Sequence, residues 1–371
     1  MSFLKTLLNA PGPSGFETTP ARLWREEAAT FADEVTGDVH GNSYATILGP
    51  GASGPGKGSG PSTASPGPKP QAPSVMFAGH IDEIGLMVVH IDDDGFLTFD
   101  GIGGWDSQVF VGQRVSILGR QGPVPGVIGK KAIHLMEQAD RDKVSKISDL
   151  WIDIGAKNRA EAEKMVRVGD AGVLKSEVLE LPNGRLVSRS MDNRIGAFVV
   201  LEALRLLARD ARPATRVTAV ATTQEEIGYS GGGARTSATT LQADCALVVD
   251  VTHATDFPTS DKRKKGDFKL GGGPVLSRGS AVNPVVFEML VAAAEEEKIP
   301  YAVEAAPRFT STDADQIFTA HRGVATGLVS VPLRYMHSPN ELVELEDVHR
   351  AARLLAAFAR KVGVGTSFIP K

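Results

Sequence analysis

The sequence is poor in cysteine and contains no long apolar run. Cys245 is the only cysteine among 371 residues, which excludes an intrachain disulfide and a cysteine-rich zinc site and favours a reducing cytoplasm. No run reaches the ~20 apolar residues that a membrane-spanning helix needs. Pro11 and Pro13 come too early for the apolar core of a signal peptide. We therefore expect a cytoplasmic protein without a membrane partner.

Charge and composition exclude a second group of functions. The 40 Lys and Arg residues against 44 Asp and Glu residues give a formal net charge of −4, so the basic face typical of nucleic-acid-binding proteins is not indicated. The contents of 42% hydrophobic and 23% charged residues are those of an ordinary globular protein. A length of 371 residues exceeds one typical domain, so we expect two domains.

The pattern of apolar residues changes twice along the chain. A helical pattern at 18–31 and strand patterns at 43–48 and 74–79 come first. From 84 to about 187, short β-type runs alternate with turns, at 84–90, 96–99, 114–118, 124–128, 150–154 and 185–188. After that, helices and strands alternate, which predicts a three-layer α/β sandwich. The helices are expected at 194–209, 232–240, 284–297, 313–320 and 346–361, and the strands at 216–222, 245–250, 300–304 and 325–331.

We therefore predict one α/β domain that is interrupted by a small all-β domain. The α/β domain comprises 1–82 and 188–371, and the inserted domain comprises 83–187. Residues 49–73 are mainly Gly, Pro, Ser and Ala, which bury too little apolar surface to offset the entropy lost on ordering. We expect this tract to be a mobile surface loop between two paired strands.

Two adjacent carboxylates, Glu225 and Glu226, follow the apolar strand predicted at 216–222 and precede the glycine-rich run at 231–233. Ligands of open α/β sheets bind beyond the carboxyl ends of the strands, where this pair would lie. Neighbouring side chains on an extended backbone point in opposite directions, so one Glu could bind a metal while the other acts on a water. Taken alone, the pair is better interpreted as a solvated acidic turn.

Other potential ligands occupy comparable positions. His80, Asp250 and His337 each end or follow a predicted strand, and Asp192 opens the first helix after the insertion. In isolation each has an ordinary explanation, such as a core histidine or a helix N-cap. Together they form a nitrogen and oxygen donor set that suits zinc or cobalt. Asp82, two residues after His80, could accept the second N–H of that imidazole and so fix its orientation.

These segments resemble the M42 family of dinuclear metallo-aminopeptidases, whose members include the tetrahedral TET assemblies. The similarity runs in order along nearly the whole chain, and five segments that bear potential ligands form a far more specific signal than any one of them. The segments are 78–85 (AGHIDEIG), 191–194 (MDNR), 224–228 (QEEIG), 249–252 (VDVT) and 334–338 (RYMHS), with further similarity at 10–17, 103–106 and 151–156.

The resemblance implies a role for each candidate residue. His80 and Asp250 would bind one metal ion, Glu226 and His337 would bind the other, and Asp192 would bridge the two. Glu225 would act as the general base, and Asp82 would orient His80. Each subunit would thus hold two divalent ions, zinc or cobalt, with manganese also suitable.

The same resemblance implies a fold, a substrate class and an assembly. The fold would be a three-layer α/β/α metallopeptidase domain with an inserted PDZ-like β domain. Peptides would lose their N-terminal residue, and dimers would build a tetrahedral dodecamer. Thr312 and Asp313 match the family's Thr-Asp near the substrate pocket. Because Thr310 and Ser311 stand where the family has glycines, the shape of the pocket and the preferred N-terminal residue are left open.

Three other functions stay open on the residues alone. A related metal-dependent deacylase or carboxypeptidase would use similar chemistry, although the segments at 192–194 and 334–338 favour the aminopeptidases. A glycosidase also uses paired carboxylates, but it needs no histidine ligands, and an aromatic content of 6% provides few platforms for sugars. A non-catalytic assembly protein would have lost ligands, whereas this chain keeps the full set together with Glu225.

Overall fold

The structure is a computed structural model that describes residues 2–49, 73–210, 212–228 and 232–371. The tract for which we predicted a mobile loop, 49–73, lies outside the described residues except at its two ends. Tyr229 to Gly231, at the start of the glycine-rich run, also lie outside them. No helix within the four described ranges is long and apolar enough to cross a bilayer.

Helices and strands alternate in the first and last parts of the chain, and strands dominate the middle. The strands are β1 (Glu34–Gly37), β2 (Ser43–Ile47), β3 (Val75–His80), β4 (Gly85–Ile91), β5 (Leu97–Ile102), β6 (Arg114–Gly119), β7 (Gly122–Lys130), β8 (Leu150–Asp153), β9 (Ala171–Leu174), β10 (Leu179–Leu181), β11 (Arg185–Ser188), β12 (Val217–Thr222), β13 (Cys245–His253), β14 (Val275–Gly279), β15 (Ala302–Ala306), β16 (Ala325–Leu333) and β17 (Glu341–Glu344). The helices are α1 (Ser2–Asn9), α2 (Thr18–Ala28), α3 (Arg159–Met165), α4 (Met191–Arg209), α5 (Gly232–Leu241), α6 (Lys262–Lys265), α7 (Pro284–Glu296), α8 (Ala314–Ile317) and α9 (Leu345–Lys361).

The largest sheet is mixed, with a parallel centre. Its order is β1-β2-β12-β3-β13-β16-β14-β15, and the four central strands β12, β3, β13 and β16 are parallel to one another. Antiparallel strands flank this centre on both sides, where β2 pairs with β12 and β14 pairs with β16. The carboxyl ends of the four central strands therefore meet at one edge of the sheet.

Both faces of this sheet are covered by helices. Alternate residues of β3 and β13 pack on opposite sides: Phe77 and Leu247 join a core with residues of α4 and α9, whereas Met76 and Val248 join a second core with residues of α5 and α8. The central strands β3 and β12 are buried along their length, as expected for parallel strands between two helical layers. The helix–sheet–helix layering predicted from the alternation is present.

The middle of the chain forms a closed barrel of six strands in the order β4-β5-β8-β7-β6-β9. Its interior is apolar and includes Leu86, Phe99, Phe110 and Ile152. The sequence patterns predicted a β-rich insertion here, and strands β4 to β8 fall close to the predicted runs. The barrel is closed by β9, which had not been predicted, because its four residues are all buried and show no alternation of apolar and polar positions.

One predicted member of the insertion lies elsewhere. The run at 185–188 does form a strand, β11, but β11 pairs with β10 and β17 in a separate three-stranded sheet and not with the barrel. Alternating apolar residues identify a strand without identifying its partner, which explains the error. The helix expected at 313–320 is also shorter than predicted, since α8 ends at Ile317 and the N–H of Ala320 bonds the carbonyl of Ile317 in a turn.

Residues at the helix ends explain where the helices that cover the sheet begin and end. Asn283 accepts hydrogen bonds from the N–H groups of Val285 and Val286, and Pro284 occupies the first turn, where its missing N–H is not needed. Helix α9 carries acidic residues in its first turn and basic residues in its last turn, which suits the helix dipole. Helix α4 begins differently, because the backbone at Asp192 and Asn193 is not helical and the peptide bond between them is cis.

Candidate metal centre

The predicted ligands come together at the carboxyl edge of the parallel strands. His80 is the last residue of β3, Glu225 and Glu226 follow β12, Asp250 lies in β13, Asp192 opens α4, and His337 follows β16. All six line one cavity of about 540 Å³.

Close packing of β3 against α4 brings His80 to Asp192. A methyl group at Gly79 would lie 2.5 Å from the carbonyl carbon of Gly196, and one at Gly196 would lie 2.7 Å from the carbonyl oxygen of Val249. Only glycine permits this approach of backbone to backbone. The two glycines thus allow the end of β3, which carries His80, to lie next to the start of α4, which carries Asp192.

Asp192 lies between the two imidazoles. Its Oδ1 is 3.2 Å from Nε2 of His80, and its Oδ2 is 3.5 Å from Nε2 of His337. Each oxygen of one carboxylate therefore faces a different histidine. This is the arrangement that a bridging ligand requires.

The other three carboxylates divide between the two histidines. Asp250 Oδ1 and Glu225 Oε2 lie 3.9 and 3.8 Å from His80 Nε2, whereas Glu226 Oε2 lies 3.4 Å from His337 Nε2. Glu225 differs from Glu226 in exposure, because its side chain is 17% exposed and that of Glu226 is 5% exposed. Glu225 is thus the member of the pair that is more open to a substrate.

Each imidazole has an oxygen close to its other nitrogen. Nδ1 of His80 lies 3.3 Å from Oδ1 of Asp82 without a hydrogen bond to it, so the orientation of His80 by Asp82 stays a prediction. Nδ1 of His337 lies 2.7 Å from the carbonyl oxygen of Gly104, which follows barrel strand β5. A carbonyl only accepts, so Nδ1 of His337 carries the proton and Nε2 is left to bind a metal. The barrel segment thus orients one of the predicted ligands.

Asp82 organises more than His80. Its Oδ2 accepts hydrogen bonds from the hydroxyl of Ser14 at 2.5 Å and from the N–H of Glu226 at 3.2 Å, and its Oδ1 accepts from the N–H of Glu225 at 3.2 Å. Burial acts to raise the pKa of this carboxyl, but the nearby His80 and the bond from Ser14 hold the pKa below its usual value. One ionised side chain therefore lies beside a histidine and holds the backbone of both glutamates.

The cavity concentrates negative charge. Burial raises the pKa values of Glu225 and Asp250 well above their usual range, and it also raises the pKa of Glu226, to which repulsion by Asp192 contributes. Burial opposes protonation of His337, but Asp192 and Glu226 raise its pKa to about 11. Carboxylates that are buried together and repel one another are stabilised by a positive charge placed between them.

The donors fit divalent metal ions. His80 offers a nitrogen within 4.8 Å of carboxylate oxygens in two groups, one with Asp192 and Glu226 and the other with Glu225 and Asp250. Oε1 of Glu226 is buried and accepts no hydrogen bond from the described part of the chain. Imidazole nitrogens and carboxylate oxygens suit zinc, cobalt and manganese. Glu225 lies as near to Nε2 of His80 as Asp250 does, at 3.8 and 3.9 Å.

The two residues predicted to contact substrate differ in position. Thr312 lines the cavity together with Thr310 and Ser311. Asp313 is 4% exposed and does not line it. The carboxyl of Asp313 accepts a hydrogen bond from the hydroxyl of Thr222, and burial raises its pKa to about 6. The structure therefore places Asp313 behind the wall of the cavity and Thr312 in it.

Sequence reasoning missed Glu341, which lies directly beneath the ligands. This side chain is 1% exposed, and its carboxylate accepts hydrogen bonds from the N–H groups of Asp192 and His337 at 2.9 and 2.8 Å. Its position four residues after His337 was visible in the sequence, but nothing there marked it as buried. His253 also lines the cavity, where it is exposed.

Comparison with known proteins gives a consistent result. Residues 62–354 match the model of the family described as M42 glutamyl aminopeptidase. The chain is 34% identical over 363 residues to the lysyl aminopeptidase of Pyrococcus furiosus, with 97% of this chain and 96% of that protein covered.

Solved structures of TET peptidases are similar to this chain over nearly its whole length. A TET aminopeptidase from a marine sediment archaeon of the Thaumarchaeota superposes with a TM-score of 0.87 at 33% identity, covering 98% of this chain and 96% of that one. The TET1 peptidase of Pyrococcus horikoshii, described as able to assemble into a tetrahedron or a large octahedral shell, superposes with a TM-score of 0.80 at 28% identity, covering 97% and 99%.

Proposed function

The chain belongs to the M42 glutamyl aminopeptidase family and is a peptide hydrolase, and we propose that it removes N-terminal residues from peptides at a centre of two divalent metal ions. His80 and Asp250 would hold one ion, Glu226 and His337 would hold the other, and Asp192 would contribute to both. The ions are zinc or cobalt, and manganese suits the same donors.

The placement of Asp192 carries this proposal. Its two oxygens face the two histidines at 3.2 and 3.5 Å, and each histidine has a further carboxylate within 4 Å. A single structural zinc ion would need only four ligands around one point. A carboxylate with a histidine on either side supports two ions.

Glu225 is the general base in this proposal. When bound, the metal ions supply a lowered pKa for water and polarise the peptide carbonyl. Oε2 of Glu225 takes the proton of the attacking water and then passes it to the nitrogen of the leaving amine. Burial raises the pKa of this carboxyl, which suits a group that must both accept and release a proton near neutral pH. The greater exposure of Glu225 supports its role as base and that of Glu226 as ligand.

The decisive variant is Glu225→Gln. We expect turnover of aminoacyl-para-nitroanilides to fall at least about 100-fold, the lower range for loss of a general base, while the metal content measured by mass spectrometry stays at the wild-type value. Glu288→Gln, an exposed change on α7, serves as the matched control and should retain wild-type activity. A Glu225→Gln chain that keeps most of its activity would refute the assignment of the base.

A substrate panel separates the alternatives. Wild-type protein should cleave substrates with a free α-amine, lose that activity to a chelator, and regain it with zinc, cobalt or manganese. Equal cleavage of matched N-acetylated substrates would indicate a deacylase or endopeptidase instead. Absence of activity with every metal would favour a non-catalytic assembly protein.

We further propose the organisation that the family resemblance implies. The α/β domain comprises 1–82 and 188–371, the barrel is a PDZ-like domain inserted at 83–187, and chains associate as dimers that build a tetrahedral dodecamer. Its neighbour from Pyrococcus horikoshii is described as a tetrahedral or octahedral assembly, which supports a homo-oligomer here. Thr312, as part of the cavity wall, is the candidate for contact with the substrate. The cytoplasmic location stays a prediction.

A further inference from the structure

We propose that Glu341 is a positioning residue of the metal centre, whose carboxylate sets the distance between the segment that carries Asp192 and the segment that carries His337. The proposal rests on the metal centre described under the proposed function. Glu341 touches neither the cavity nor a substrate, so it would act only through the two ligands.

The geometry ties both segments to one carboxylate. Oε2 of Glu341 accepts a hydrogen bond from the N–H of Asp192 at 2.9 Å, and Oε1 accepts one from the N–H of His337 at 2.8 Å. Each oxygen thus holds the backbone of a different predicted ligand. A shift of Glu341 would move both, and a shorter or weaker acceptor would release at least one.

The strand that carries Glu341 is itself anchored beside both ligands. Glu341 pairs with Ser188 in β11, three residues before α4 begins, and Leu342 forms two backbone hydrogen bonds with Arg334, three residues before His337. Strand β17 therefore lies between the two chain segments that lead to the ligands. Glu341, the first residue of β17, connects the two segments through its hydrogen bonds to Asp192 and His337.

Neither N–H has a partner in regular structure. The backbone of Asp192 has φ −80° and ψ 105°, outside the helix that follows, and His337 has a left-handed φ of 58°. The left-handed conformation of His337 persists only where its surroundings determine it, whereas Asp192 is in an ordinary extended conformation. Glu341 supplies the acceptors that hold both residues in place.

The test uses two carboxylates with the same local geometry. Asp347, at the start of α9, is also fully buried, and it accepts hydrogen bonds from the N–H groups of Gly271 and Gly273 at 2.6 and 2.8 Å. Asp347 does not line the cavity, and Arg350 lies 3.5 Å away. Glu341→Gln and Asp347→Asn each replace one acceptor oxygen by a donor facing a backbone N–H, so the two variants should be destabilised by comparable mechanisms.

We expect Glu341→Gln to weaken zinc binding by 10- to 100-fold, the loss typical for partners of metal ligands, in competition with a chromophoric chelator. The visible spectrum of its cobalt form should differ from that of the wild-type protein. Asp347→Asn should lower the melting temperature of the metal-free protein but keep the wild-type zinc affinity and cobalt spectrum. These readouts do not depend on activity.

Equal zinc affinity and cobalt spectra for Glu341→Gln and the wild-type protein would overturn the proposal, and so would an equal loss in Asp347→Asn. If Glu341→Gln does not fold, Glu341→Asp keeps the charge but is too short to reach both N–H groups, and it should show the same loss of affinity. If neither variant folds while Asp347→Asn does, Glu341 is a folding residue and the proposal is wrong. A wild-type chain that binds no metal would refute the proposed centre itself.

Discussion

At the scale of single residues, a buried cluster of one carboxylate and two guanidinium groups lies beside the metal centre. Glu83, next to Asp82, lies 2.8 Å from Nη2 of Arg194 and 3.0 Å from Nε of Arg189. All three side chains are almost completely buried. The two guanidinium groups also bond the carbonyls of Leu8 and of other residues that lead from α1 into the loop beneath the site. The single carboxylate therefore compensates two cations that hold the N-terminal segment.

Glu83→Gln should be strongly destabilising. Removing one partner of a buried pair leaves the other charge uncompensated, at a cost of about 3–5 kcal/mol in the free energy of unfolding. Urea denaturation followed by circular dichroism measures this change. The control is Glu180→Gln, which breaks the exposed pair with Lys5 and should change stability by less than about 1 kcal/mol. Equal midpoints for the two variants would show that the cluster does not stabilise the fold.

The sequence indicated which candidate ligands come together more readily than which residues position them. His80, Asp250 and His337 were recognisable because each ends or follows an apolar strand, and parallel strands bring such positions together. Glu341 and Glu83 were not, because Glu341 meets Asp192 and Glu83 meets Arg194 across more than 100 residues of the chain. Periodicity shows that a segment is buried, but it does not show which polar group a buried carboxylate will meet.

At the scale of secondary-structure elements, the contact between β3 and α4 sets the geometry of the centre. A methyl group at Gly79 would lie 2.5 Å from the carbonyl carbon of Gly196, so Gly79→Ala must separate the strand from the helix. Overpacking of this kind costs about 1–3 kcal/mol. We expect a lower melting temperature together with a lower affinity for zinc, because His80 and Asp192 move apart.

Gly363→Ala is the control for this prediction, because no atom lies within 4 Å of the added methyl group and its φ is not left-handed. It should match the wild-type protein in melting temperature and zinc affinity. If Gly79→Ala lowered the melting temperature but left zinc affinity unchanged, the close contact would support the fold without setting the metal site.

The sequence predicted which segments are helices and strands more readily than it predicted which strands pair with each other. The alternation of helices and strands correctly indicated the layers, since long buried strands and amphipathic helices carry distinct periods. The position of β11 outside the barrel and the closure of the barrel by β9 depend on strand pairing across long separations. Those pairings are decided by tertiary packing, and a short segment does not encode them locally.

At the scale of the whole molecule, the barrel presents unusual apolar surface. Val127, Ile133, Leu135 and Val144 belong to β7 or to the segment between β7 and β8, and their exposures range from 50% to 70%. Scattered exposed apolar residues are ordinary, but four within one segment of the barrel are typical of a surface that another chain covers. This observation agrees with the proposal that the inserted domain takes part in assembly.

The mass of the particle in solution tests that proposal. Light scattering after size exclusion should give twelve times the chain mass of 39.2 kDa, and Leu135→Asp should shift the protein to smaller species, because a buried charge without a partner is unfavourable in an interface. Ile369→Asp, at an equally exposed position near the C-terminus, should leave the mass unchanged. A wild-type mass of one chain would refute the assembly. A dodecamer that tolerates Leu135→Asp would instead place the contacts elsewhere on the molecule, because an aspartate enclosed between two apolar surfaces could not keep its hydration.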